Sequence, residues 1–366
     1  MNSLLWPKVG SWKQFAVAHE AIAYMPVYMA KLKGIASQMK AQGKWVEDQD
    51  FPVDILSLHP PHPNKTPLIL LGGMGPLAGA MSFQKACQYC GNSREIVLYQ
   101  ACGIPSRVKV MLDPNRLVEG ISLRDRLVKL ASDSIIQATE YLQADNSNIQ
   151  VMLLCNGSHY FLPQIQQDLE NRYRAIARRL NFVSLVDAVM EVLQCQRRQK
   201  VLVLGTTATL MGGVYTQPLQ QLGIDFSVLP DSCQSRLMDI IYYGVKAFDK
   251  EYACAMGEQL FSLLENVSRI DFAIAGCTEI PIFLDWLQAK IACSNSNSSW
   301  LNAQKFLAQV EVLDPVCLAL HLALGILDGE GKGAKGRERF FEQTLHLAQR
   351  RKGAKGRERF FEQIFT

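Results

Sequence analysis

Beyond its first sixty residues the chain is built of short apolar runs separated by longer stretches with helical spacing. The runs are LILL in TPLILLGGMGPLAG, IVLY in EIVLYQA, VMLL in IQVMLLC, VLVL in KVLVLGTTAT and FAIA in FAIAGCTEIP, with a shorter one in DFSVLP. They are continuous rather than alternating, so they suit strands buried on both faces, as in a mainly parallel sheet. AMSFQKACQYC, LRDRLVKLASDSIIQATEYLQA and QSRLMDIIYYGVKAFDKEYACAMGEQLFSLLEN read as the helices between them. Strands alternating with helices predict an α/β fold in three layers, with helices covering each sheet on both sides.

The order repeats. LILLGGMG and VLVLGTTAT each end in a small-residue turn that opens a helix, and VMLLCNGSH and FAIAGCTEIP each end in a cysteine followed by polar residues. Two such halves facing one another place one cysteine on each side of a cleft, at the carboxyl ends of the strands where open α/β sheets bind ligands. The expected division is 1–64, a helical extension (one or two helices over 11–40) and proline-rich linker; 65–180, a first domain; 181–310, a second; and 329–366, a tail. The boundary falls near Leu180, and residues 311–328 are expected to return to the first domain. The linker HPPHPNK carries His59 and His62, read as solvated.

Composition changes this picture little, and charge changes it locally. Hydrophobic residues make up 48% of 366, enough for a substantial core. The net charge of +4 divides into +6 from Gly331 onward and −2 before it. The body is therefore not basic and is not expected to bind nucleic acid. The tail repeats KGAKGRERFFEQ from Lys332 and again from Lys352, and is read as a solvated or duplicated extension. Ten scattered cysteines fit reduced thiols in a cytosolic protein better than a disulfide scaffold. Cys87 and Cys90 form a C-x-x-C without a second half, too few ligands for a metal site. Neither a signal peptide nor a membrane span is expected.

Four motifs carry chemistry. GGMGPLAG lacks the phosphate-loop order, yet its glycines let backbone N–H groups approach an anion at a helix start. Arg107, in IPSR after a strand, offers a fork suited to a carboxylate. CNGSH sets the Cys155 thiol at a strand tip beside a helix start, with Asn156 and Ser158 as hydrogen-bonding groups. GCTEIP repeats that geometry at Cys277, with Thr278 and Glu279 following. His159 either polarises a thiol or caps the local helix.

GGMGP, IPSR, CNxxH and GCTEIP, in this order, resemble the aspartate/glutamate racemase family, nearest to its aspartate branch, over about residues 66 to 327. The resemblance implies two similar α/β domains related by a pseudo-two-fold, commonly in a dimer. The substrate, a small amino acid or dicarboxylate, lies between them, with neither pyridoxal phosphate nor metal. Cys155 and Cys277 would exchange the α-proton on opposite faces. Met74, Gly75, Arg107, Asn156, Gly157, Ser158, Thr206, Thr207 and Thr278 would bind substrate, with His159 and Glu279 as auxiliaries.

Two departures bear on the substrate. The family's Cys-Asn-Thr is here Cys155-Asn156-Gly157, which removes a hydroxyl or leaves it to Ser158. The segment after the second turn, ATLMGGVYTQ, has no basic residue before Arg236, which weakens the expectation of a dicarboxylate. Alternative readings are a related two-cysteine isomerase, a hydantoin-type racemase, or a non-catalytic ligand-binding homologue.

Overall fold

The structure, a computed structural model, describes residues 8–42, 52–143, 148–194, 200–264, 269–293 and 300–324. The repeated basic tail and Cys195 lie outside the described residues.

The first half runs β1 (Val9–Phe15), α1 (Ala18–Ala41), β2 (Val53–Leu58), β3 (Leu68–Gly72), α2 (Pro76–Cys90), β4 (Ile96–Gln100) and α3 (Arg107–Leu112). A small ribbon follows, β5 (Leu117–Val118) and β6 (Ile121–Ser122), then α4 (Leu123–Thr139), β7 (Ile149–Leu153), a 3-10 turn (Asn156–Phe161), α5 (Leu162–Ala177) and β8 (Leu180–Phe182). Its six-stranded sheet has the order β1-β2-β4-β3-β7-β8. All neighbours are parallel except β2 and β4, which run antiparallel.

The second half runs α6 (Leu185–Gln194), β9 (Lys200–Gly205), α7 (Thr207–Met211), α8 (Thr216–Gln221), β10 (Asp225–Val228) and α9 (Asp231–Asp239). It continues through a π-helical segment (Ile240–Val245), α10 (Lys250–Leu263), β11 (Phe272–Gly276), α11 (Ile280–Cys293), α12 (Leu301–Gln309), β12 (Glu311–Leu313) and α13 (Pro315–Ala323). Its sheet, β10-β9-β11-β12, is wholly parallel. One apolar cluster runs through both halves from Phe15 to Leu324, and a second fills the other face of the first sheet.

The apolar runs became β3, β4, β7, β9 and β11, so the α/β architecture holds. Five details differ from the expectation. The N-terminal segment is not purely helical, since β1 and β2 extend the first sheet. Their polar residues are satisfied by distant partners: Asp54 pairs with Lys31 at 2.7 Å, and Trp12 Nε1 donates to Ser57 Oγ at 2.8 Å. His59 is not solvated but buried against Glu95, with Nδ1 3.3 Å from Oε1.

The other differences concern boundaries. β8 pairs with β7, so the first sheet extends to Phe182 rather than stopping at Leu180. β12 stays with the second sheet, although α13 is tied to the first half. There Arg94 Nη2 donates to the Ala323 carbonyl at 2.9 Å, and Lys85 pairs with Asp314 at 3.1 Å. Finally, the long helix expected from Gln234 is interrupted by the π-helical segment and by Phe248, a non-glycine residue at φ 57°.

Candidate active site

Both cysteines stand just past the ends of central strands, Cys155 after β7 and Cys277 after β11. Cys155 has extended backbone and caps the 3-10 turn, whose Ser158 N–H returns to the Cys155 carbonyl at 3.1 Å. Cys277 caps the next helix similarly, its carbonyl accepting from the Ile280 N–H at 3.1 Å. A single cavity between the halves is lined by both cysteines, with Met74, Arg107, Asn156, Gly157, Thr206, Thr209, Tyr242, Lys246, Thr278 and Glu279 among its walls.

The expected residues divide. Met74, Arg107, Asn156, Gly157, Thr206, Thr278 and Glu279 line the cavity with the two cysteines; Gly75, Ser158, His159 and Thr207 do not. Ser158 Oγ instead contacts Met74 Sδ at 3.1 Å. His159 Nδ1 meets the Cys155 carbonyl at 3.1 Å, while its Nε2 accepts from the Leu185 N–H at 3.1 Å. This fixes the proton on Nδ1 and makes His159 a joint between the cysteine turn and α6. Burial holds the ring below the ordinary histidine range.

The donors around the cavity are built in. Arg107 opens α3 and is buried, with Nη1 and Nη2 held by the carbonyls of Pro105 and Met74 at 3.1 and 3.3 Å. Asn156 is 1% exposed. Its Oδ1 accepts from the Tyr215 hydroxyl, while its Nδ2 has no partner among the described residues. A buried amide donor left unpaired at a cavity wall suits a ligand acceptor. Thr206 caps α7 and pairs with Thr209, whose hydroxyl reaches the Gly276 carbonyl at 3.1 Å.

Val108, Thr209, Tyr242, Lys246 and Gly276 also line the cavity and went unread in the sequence; Thr209 adds a hydroxyl and Lys246 a cation. A Cβ at Gly157 would sit 3.8 Å from Thr209 Oγ1, so the second half presents a hydroxyl beside the position where the first half lacks one. Lys246, just past the π-helical segment, lines the cavity with its Nζ 4.4 Å from the Tyr242 ring centre. It lies beyond Arg236, outside the segment ATLMGGVYTQ in which a basic residue was sought. Its signal was hidden because the interruption that aims it is not a local pattern.

The thiols differ in setting. Cys277 is buried, and desolvation first and the Glu279 charge second push its thiol well up, with Lys246 opposing. Cys155 is partly exposed. By contrast Cys87 and Cys90 are core residues of α2, and burial pushes the Cys90 thiol up to about 11. Among the described residues no three His, Cys, Asp or Glu side chains could hold a metal ion together, and no helix is long and apolar enough to cross a membrane.

Two α/β halves with a cysteine-bearing strand end on each side of one cavity define a racemase-like class of protein. Residues 71–323 match the Asp/Glu/hydantoin racemase family, and the chain belongs to it. Among solved structures it is similar to the aspartate racemase of Picrophilus torridus, at 22% identity and a TM-score of 0.49, over 75% of this chain and 98% of that one. An aspartate racemase homologue from Pyrococcus horikoshii OT3 matches at 20% identity and 0.45, over 72% and 99%. The glutamate racemase of Francisella tularensis subsp. tularensis SCHU S4, solved with D-glutamate, matches at 15% and 0.40, over 72% and 81%. Family membership makes the chain an isomerase of the amino-acid racemase type.

Proposed function

We propose that the protein racemises aspartate without a cofactor, by proton transfer between Cys155, Cys277 and the substrate α-carbon. The observation that carries this reading is the convergence of both cysteines, from matching positions in the two halves, on one cavity. Racemisation needs a base on one face of the α-carbon and an acid on the other, because a single base mostly returns the proton to its original face. A thiol group on each face, with the roles of base and acid exchanged between directions, meets that need.

The α-proton is weakly acidic, so the developing carbanion needs electrostatic help. Donors aimed at the α-carboxylate supply it, and we assign that task to Arg107, Asn156 Nδ2 and the backbone N–H groups after Cys155. Thr206, Thr209 and Thr278 complete the polar lining. Lys246 is assigned to the side-chain carboxylate, which restores the dicarboxylate as the preferred substrate. The free thiols of the described cysteines fit a reducing cytoplasm, and the family resemblance suggests a homodimer.

The test is incubation in D2O with single enantiomers of aspartate, glutamate and neutral amino acids, following α-deuteration and enantiomer ratio together. Deuteration with inversion, lost in both C155S and C277S, is the expected result. Activity surviving either substitution would overturn the two-thiol mechanism.

A further inference from the structure

The two cysteines do not have equivalent neighbours. Two positions after Cys277 stands Glu279, while two positions after Cys155 stands Gly157. Glu279 is the one acidic residue among the described residues that line the cavity. It is 3% exposed, and its Oε2 accepts from the Cys277 thiol at 2.8 Å and from the Thr278 hydroxyl at 3.1 Å. Its Oε1 has no hydrogen-bond partner among the described residues. That oxygen packs over Gly75 of the opposite half, where a Cβ would lie 1.8 Å away. A buried carboxylate held by a thiol, with its other oxygen unpaired, is costly as a packing element. The same geometry is what proton transfer between sulfur and carboxylate requires.

We propose that Cys277 and Glu279 act as one acid–base dyad, whereas Cys155 ionises alone. This rests on the two-cysteine reading and adds a third proton-carrying group. When Cys277 is the base, its thiol proton passes to Glu279 Oε2 as the sulfur takes the α-proton. The carbanion then takes a proton from Cys155, leaving a Cys155 thiolate, a Cys277 thiol and a protonated Glu279. In the opposite direction the Cys155 thiolate takes the α-proton, Cys277 delivers its own proton to the carbanion, and Glu279 returns its proton to Cys277. The negative charge alternates between Cys155 and Glu279, and no long-lived thiolate forms at the buried Cys277.

The experiment uses E279Q and E279D in the full chain, with two readouts. One is kcat/KM for each enantiomer. The other is the pH dependence of iodoacetamide alkylation at Cys155 and Cys277, resolved by peptide mass spectrometry. E279Q is expected to lower kcat/KM about 100-fold, equally in both directions because the racemisation equilibrium constant is one. E279D, which keeps a carboxylate, is expected to recover about tenfold of that loss. Alkylation of Cys277 in E279Q should become about tenfold faster at neutral pH, since a negative charge beside the sulfur is gone. A fall in the pH at which Cys277 becomes reactive, rather than a pH-independent rise in its alkylation rate, separates loss of the charge from a packing defect.

In the parent, Cys155 should be alkylated before Cys277. The proposal is overturned if E279Q turns over within threefold of the parent, if its Cys277 alkylation profile is unchanged, or if Cys277 of the parent reacts first. C155S and C277S assayed alongside separate this failure from that of the two-cysteine reading, and the alkylation arm needs no amino-acid substrate.

Discussion

Gly75 offers a direct mechanical test of the site. Its φ of −157° is open to any residue, so replacement by alanine carries no backbone penalty and acts only through the added methyl group. That Cβ would sit 1.8 Å from Glu279 Oε1, and ordinary contact begins near 3.4 Å, so about 1.6 Å of separation must be found. The start of α2 has little room to supply it. Next to it, Gly73 has φ 97° and packs against the Ala101 and Cys102 backbone, where a Cβ would meet atoms at 2.5–2.6 Å. The carboxylate must therefore withdraw, stretching or breaking its bonds from the Cys277 thiol and the Thr278 hydroxyl.

Hydrogen bonds to a charged group contribute about 1.5–3 kcal/mol each, so G75A should destabilise by roughly 2 kcal/mol. A misplacement beyond 1 Å should lower kcat/KM about 100-fold. Urea unfolding followed by fluorescence, together with racemisation rates, measures both. Gly34 is the control. It is exposed within α1, and an added methyl would meet nothing within 4 Å, so G34A should stabilise by about 0.5–1 kcal/mol with unchanged rates. If G75A unfolds like the parent and turns over within threefold of it, Glu279 does not sit as described and the cross-cleft argument fails.

Two further outcomes are expected. K246M should raise KM for aspartate by about 10- to 100-fold while leaving any turnover of neutral amino acids unchanged, the loss of about 1.5–3 kcal/mol from a charge-assisted contact; equal effects on both substrate classes would remove Lys246 from side-chain recognition. Because burial lowers the folded-state pKa of His159, its stabilisation is fully present above the unfolded value of about 6.5 and is lost as pH falls from there through the folded pKa. Unfolding free energies should therefore decline from about pH 7 to pH 5, and H159Q should show a shallower decline; parallel curves would dismiss the assignment.

The parts of this site that were legible in the sequence are those that lie at strand ends. A continuous apolar run followed by a turn marks its own carboxyl end, so Cys155, Cys277 and the Gly72–Gly75 and Thr206 turns could be placed without coordinates. The residues that escaped are positioned by contacts far away along the chain. β2 carries Asp54 and Ser57 in a fully buried strand, a pattern that reads as loop until Lys31, Ser11 and Trp12 are seen to satisfy them. Thr209 rather than Thr207 faces the cavity because Thr206 caps α7 and its partner lies one helical turn on. Lys246 depends on a π-helical break inside a stretch whose apolar spacing is that of one continuous helix.

Racemisation places an unusual demand on this fold. On the two-thiol mechanism proposed above, the thiols come from different halves and have to hold a fixed separation across a planar intermediate, since either one drifting would leave the carbanion protonated from a single face. The contacts between the halves are arranged at that point. The Tyr215 hydroxyl of the second half is bonded to Asn156, the residue after Cys155, and Glu279, two residues after Cys277, rests on Gly75 of the first half. Each cysteine is thus referenced to the opposite half through its immediate neighbour. Outside the cleft, Lys40 of α1 reaches Asp249 at 3.0 Å and Arg94 reaches the Ala323 carbonyl at 2.9 Å, which restrains the same relative movement from the rim. The N-terminal segment and α13 thus add contacts between the halves to those that Tyr215 and Glu279 make, the buried Arg94 bond contributing more than the exposed Lys40 pair.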